Sequence, residues 1–140
     1  MEEQEQITDE EKSLQIVLEN IKEQKNLTET LENEILCYFD SKGEKIVNIL
    51  KKQELFKLKL NEKLYLWEVK GRNKSYLIID SSFCECTDFA IRVIQKGERK
   101  YCYHVLAKII GEQMQLYKEY TISIAEYEKK IKKGIEEIKT

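Results

Sequence analysis

Proline is absent from this chain, glycine is scarce at five residues in 140, and histidine and tryptophan occur once each. Without proline the strongest marker of a linker or fixed turn is missing, and no low-complexity tract or internal repeat takes its place. Composition therefore defends no domain boundary. With 41% hydrophobic and 36% charged residues, the chain suits one modest globular unit able to bury a real core. Long apolar runs are missing too, since nothing approaches the roughly eighteen residues of a membrane span. The acidic start, Met1-Glu2-Glu3-Gln4-Glu5, is unlike a signal peptide. An intracellular protein with no membrane contact is expected.

An excess of one charge sign is also lacking. The 24 basic and 26 acidic side chains leave a net charge of −2, which argues against a dedicated nucleic-acid binder. That average hides a gradient. Residues 1–50 carry 5 basic and 13 acidic side chains, residues 51–108 carry 13 and 7, and residues 109–140 carry 6 of each. The middle of the chain is thus positive by six and suited to something anionic. The plainer reading, that these lysines and arginines solvate strands and loops, is preferred.

What the chain does have is a concentration of metal-ligating residues. Cys84-Glu85-Cys86, fifteen further residues and Cys102-Tyr103-His104 gather three of the four cysteines and the sole histidine. Two ligands one residue apart, a loop, and two more one residue apart supply the four corners of a tetrahedral zinc site. Thiolates bind zinc at about 2.3 Å and imidazole at about 2.0–2.1 Å, and a closed Cys₃His set is of the structural type. Ordinary core cysteines would be the alternative, but core packing has no reason to put the only histidine at the fourth corner. Four cysteines in an intracellular-looking chain favour metal binding over disulfides. Cys37, within Ile35-Leu36-Cys37-Tyr38-Phe39, reads as a buried apolar residue.

The pattern along the chain gives an α+β fold. Thr8-Asp9-Glu10-Glu11 reads as a capping box opening a helix with Leu14, Val17, Leu18 and Ile21 on one side. A second helix starts near Thr28 with Leu31, Ile35, Leu36 and Phe39, and Ser41-Lys42-Gly43 breaks it. A short third helix holds Ile46, Val47, Ile49 and Leu50. The period then changes. Phe56, Leu58 and Leu60 alternate with Lys57 and Lys59 as in a strand with one wet face. Leu64 to Lys70 and Tyr76 to Asp80 read as two more strands, joined by the turn Gly71-Arg72-Asn73-Lys74. A three-stranded antiparallel meander is expected, with Trp67 in the core. After Cys86, Thr87 or Asp88 caps a short helix with Phe89, Ala90, Val93 and Ile94. Cys102-Tyr103-His104 opens another, carrying Val105, Leu106, Ile109, Ile110 and Met114. A last amphipathic helix shows a stripe of Ile124, Tyr127, Ile131, Ile135 and Ile138, read as a packing face with a partner helix as the alternative. The regions are an N-terminal helical part (1–54), a sheet with the metal core (55–111) and a C-terminal helical tail (112–140), all one unit.

Strand, Cys-x-Cys, short helix, loop, Cys-x-His and helix is an order that resembles the SWIM zinc-binding domain, with its ββα core. Phe89, three residues after Cys86, matches a frequent SWIM aromatic, and Ala107 matches an alanine typical of the branch that serves the Shu complex in homologous recombination. The likeness covers residues 28–135 and is strong for 76–111. Tyr103 stands where lysine is common and Thr87 where proline is common; neither is a ligand. The resemblance implies a non-enzymatic accessory protein that forms a heterodimer with a RecA-like recombinase paralogue and promotes recombinase assembly on single-stranded DNA. DNA contact would then be weak or made through the complex. For a eukaryotic source it implies the nucleus, for a prokaryotic one the cytoplasm.

The residues themselves favour a structural metal, one Zn²⁺ per chain at Cys84, Cys86, Cys102 and His104. Catalytic zinc keeps one position for water, and here four ligands close the shell. No second histidine is present to act as a base near neutral pH, and no nucleophile elbow or phosphate loop occurs, so no catalytic residues are assigned. Tyr117, Tyr120 and Tyr127 are candidate anchors for a protein partner. The alternative is a direct nucleic-acid-binding zinc module using Lys57, Lys59, Lys70, Arg72, Lys74, Arg92, Lys96, Arg99 and Lys100. A thiol redox or metal-shuttle role is a third, made unnecessary by Cys102 and His104.

Overall fold

The computed structural model describes residues 9–21, 26–97 and 100–139, with side chains described as far as residue 133. Three helices open the chain. α1 (Asp9–Ile21) buries Leu14, Val17 and Ile21, and α2 (Glu29–Tyr38) buries Leu31 and Ile35. Thr28 caps α2 as expected, its hydroxyl accepting from the Leu31 N–H at 3.2 Å. Thr8, the proposed cap of α1, lies outside the described residues. α3 (Ser41–Lys51) buries Ile46, Val47, Ile49 and Leu50.

The break between α2 and α3 is not where the sequence placed it. Asp40, with φ 50°, turns the chain, and Ser41-Lys42-Gly43 is already the first turn of α3. Gly43 serves close approach: a Cβ there would lie 2.6 Å from the Ile35 carbonyl oxygen and 2.8 Å from the Leu36 Cα. Packing of α3 against α2 also decides which side of α2 is inside. Leu36, expected in the apolar stripe, is 42% exposed, and Cys37 is exposed and not buried.

The sheet has five strands in mixed orientation, where a three-stranded antiparallel meander was expected. β1 (Leu55–Lys59), β2 (Tyr65–Lys70), β3 (Ser75–Ile79) and β4 (Phe83–Cys84) form an antiparallel run. β5 (Lys118–Thr121) returns from the C-terminal part to pair parallel with β1, giving the order β4-β3-β2-β1-β5. Two residues of β4 are too few to show a period, and every residue of β5 is exposed, so neither has an alternating pattern to read.

Both faces of the sheet are covered. Leu55, Trp67, Val69 and Ile78 join the main core with α1, α2, α3 and α4 (Tyr103–Met114). Trp67 is fully buried, with Tyr117 meeting its ring edge-on at 4.9 Å. On the opposite face Leu58, Leu66 and Leu77 form a second cluster, which Phe56, Ile79, Ile122, Tyr127 and Ile131 close over. Tyr127 and Ile131 belong to α5 (Ile124–Lys139). The wet face expected of β1 is therefore absent: α5 covers the Phe56–Leu58 side. On the other side Lys57 lays its ammonium over the Tyr65 ring, 4.2 Å from its centre. The C-terminal stripe is in part a packing face, although its first member, Ile124, is 63% exposed. The side chains of Ile135 and Ile138 lie outside the described residues. No described helix is long and apolar enough to cross a membrane.

Candidate metal centre

Cys84 and Cys86 are delivered by a hairpin. Asp80, with φ 54°, reverses the chain after β3, and Cys84 then pairs with Ile78. Glu85 continues the pairing, its N–H donating to the Leu77 carbonyl at 3.0 Å and its Oε1 accepting from the Leu77 N–H at 2.7 Å. In an extended chain residues two apart face the same way, so Cys84 and Cys86 both turn to the core. Cys86 also starts the next element, a π-helical turn (Phe89–Gln95), its Sγ accepting from the Phe89 N–H at 3.3 Å. That is the role expected of Thr87 or Asp88. Asp88 makes no capping bond and pairs with Arg92 at 3.2 Å.

Cys102 and His104 come from the start of α4. Cys102 is its N-cap, extended at φ −86° and ψ 170°, and its carbonyl accepts from the Leu106 N–H at 3.1 Å. The positive end of the helix dipole thus lies beside a thiol, which favours its anionic form. The Cys84, Cys86 and Cys102 sulfurs and a His104 ring nitrogen all lie within 4.8 Å of one another, and all four residues are buried. Sequence reasoning named these four, and the fold brings all four together. They stand close enough to hold one metal ion.

The chemistry of the set fits a cation. The Cys84 thiol is pushed far up, by its bonds to Cys102 and Cys86 and then by burial. Cys86 is held down by the bonds that Cys102 and Cys84 direct to it. Cys102 is raised to about 12: a bond from Cys84 opposes the rise, and the bond to Cys86, burial and the Cys86 charge outweigh it. Three thiols packed in one buried site oppose one another's ionisation, and a bound cation would favour the thiolate form of all three. His104 supplies a second sign of fit, because its Nδ1 is buried with no hydrogen-bond partner.

Aromatic rings hold that imidazole. Tyr76 stacks on it at 4.5 Å between centres and Tyr103 at 4.0 Å, tilted by 31° and 35°. Lys74 lies over Tyr76 at 5.1 Å and Lys45 over Tyr103 at 4.9 Å. Lys45 of α3 thereby brings a positive charge beside Tyr103. Burial, with Tyr76 and the cysteines beside it, pushes the Tyr103 phenol up. Phe89 is buried and meets Phe83 edge-on at 5.8 Å, and Ala107 is fully buried. Both therefore pack the core around the ligands.

The other sequence-selected residues scatter. Lys59 pairs with Glu62 at 2.7 Å and Glu119 at 3.7 Å, and Lys100 with Glu11 at 3.5 Å. Lys57 and Lys74 lie over rings, Lys70, Arg72 and Lys96 are exposed, and Arg99 lies outside the described residues. Of the tyrosine anchors, Tyr117 is taken up by Trp67 and Tyr127 by the second cluster, while Tyr120 is 51% exposed. Sequence reasoning missed Lys108, which is buried inside the α4 stripe. Its spacing of four from both His104 and Glu112 was the available signal. No protein-family model, curated protein or solved structure matches the chain.

Proposed function

We propose that this chain is a non-enzymatic zinc protein of the SWIM type, in which one Zn²⁺ held by Cys84, Cys86, Cys102 and His104 pins the β3–β4 hairpin to the start of α4. The observation that carries this reading is the convergence of those four buried side chains within 4.8 Å. Four protein ligands leave no position for a reactive water. Three thiolates and a neutral imidazole leave the centre at a net charge of about −1, a poor Lewis acid and a poor attractor of phosphate. The centre's work is to shape a surface.

That surface serves a protein partner, by resemblance a RecA-like recombinase paralogue in homologous recombination. Exposed Ile91 and Ile94 on the π-helical turn and Tyr120 on β5 are the apolar side chains available to it near the centre and the sheet edge. Direct nucleic-acid binding is the second reading. The exposed Lys70 at the end of β2 and Arg72 of the turn after it favour it, and the ion pairs of Lys59, Arg92 and Lys100 with nearby carboxylates count against it. A pulldown with the purified protein and a salt-dependent titration with single-stranded DNA distinguish the two. The adaptor reading expects a captured recombinase-like protein and no measurable DNA binding at about 50 mM salt; tight binding with a steep salt slope would support the second reading.

A further inference from the structure

Lys108 stands one helical turn beyond His104 on α4 and is only 3% exposed. An ammonium withdrawn from water to that extent persists only where its donors find partners. Its Nζ lies 3.1 Å from Ser81 Oγ and 2.9 Å from Glu112 Oε1, and 5.2 Å from the centre of the Trp67 ring. Glu112 is a neighbour on the same helix, four residues on. Ser81 is the informative partner. It sits beside Asp80 in the turn between β3 and β4, and that turn delivers Cys84 three residues later. Beside the stacking of the Tyr76 ring on His104, polar side chains of α4 meet the hairpin at two places. One is the meeting of Cys102 and His104 with Cys84 and Cys86; the other is Lys108 on Ser81.

We propose that Lys108 is a positioning residue: its bond to Ser81 holds the β3–β4 turn against α4 independently of any metal, so that Cys84 and Cys86 already face Cys102 and His104 when the ion arrives. This rests on the reading of those four residues as a metal site. The apparent affinity for an ion falls with the fraction of molecules in which the site is assembled. Loosening the turn thus weakens metal capture while leaving every ligand in place.

Hydrogen exchange on the metal-free protein, paired with Co²⁺ titration of the same samples, tests the proposal. Lys108→Met keeps the apolar stem and removes the donors, and Ser81→Ala removes only the acceptor and serves if Lys108→Met fails to fold. In Lys108→Met the amides of residues 81–86 should exchange about tenfold faster, with α1–α3 unchanged, the size expected for one charged hydrogen bond. Co²⁺ should bind about tenfold more weakly with unchanged stoichiometry and thiolate absorption. Ser81→Ala should shift both readouts the same way by a smaller factor. Unchanged exchange at 81–86, acceleration spread evenly over the molecule, or unchanged Co²⁺ affinity despite a loosened turn would each overturn the proposal. If the unaltered protein bound no Co²⁺, the metal reading itself would fail, and exchange would still decide whether Lys108 holds the turn.

Discussion

That Cys84, Cys86, Cys102 and His104 meet in the fold was legible from their spacing, because a metal site would demand particular side chains at particular intervals. On the proposed metal reading, losing one ligand would leave three buried groups facing one another without a cation. Cys84→Ser or His104→Ala should therefore lower bound zinc and loosen residues 84–110 while α1–α3 persist, which metal analysis and amide exchange would check. Gly43 and Cys37 show where single-residue reading ends. Gly43 was read as a helix breaker, yet its role is set by a neighbour in space, the Ile35 carbonyl 2.6 Å from where a Cβ would be. Backbone cannot yield as a side chain end can. Gly43→Ala should cost about 2 kcal/mol through overpacking, seen as a lower denaturation midpoint. Cys37 fails for a similar reason: which side of α2 is inside is fixed by α3.

At the scale of elements, periodicity located α1, α2, α3, α4 and α5, because each buries one side, and alternation or apolar content located the three longer strands. It missed β4 and β5, whose assignment depends on pairing and not on their own pattern. It also misjudged β1, because nothing in residues 55–60 announces that a helix some seventy residues later will cover them. That cover makes a prediction. Ile131→Ala, in contact with the Leu58, Leu66 and Leu77 cluster, should destabilise the protein by about 1–2 kcal/mol, less than full burial would give. Ile124→Ala, on the same helix but 63% exposed, should stay within about 0.5 kcal/mol. Equal effects of the two in chemical denaturation would contradict the packing described for α5.

For the whole molecule, the main core joins α1–α4 to the sheet, and the four candidate ligands lie where the β3–β4 hairpin meets the start of α4. Chelation should accordingly give a partly loosened protein and not an unfolded one: far-ultraviolet circular dichroism largely kept, with exchange accelerated at 84–110. Part of the positive charge of residues 51–108 is matched by acidic neighbours, as at Lys59, Arg92 and Lys100. The Lys59–Glu62 and Arg92–Asp88 pairs are three and four residues apart in sequence, whereas the Lys100–Glu11 pair is made by the fold and could not be read from a charge count. Cys84, Cys86, Cys102 and His104 are proposed to hold one structural zinc. Elemental analysis of the purified protein beside its His104→Ala variant tests this most directly. One zinc per chain in the unaltered protein, with a clear loss in the variant, is the predicted result. No zinc in the unaltered protein, or a full equivalent retained by His104→Ala, would contradict it.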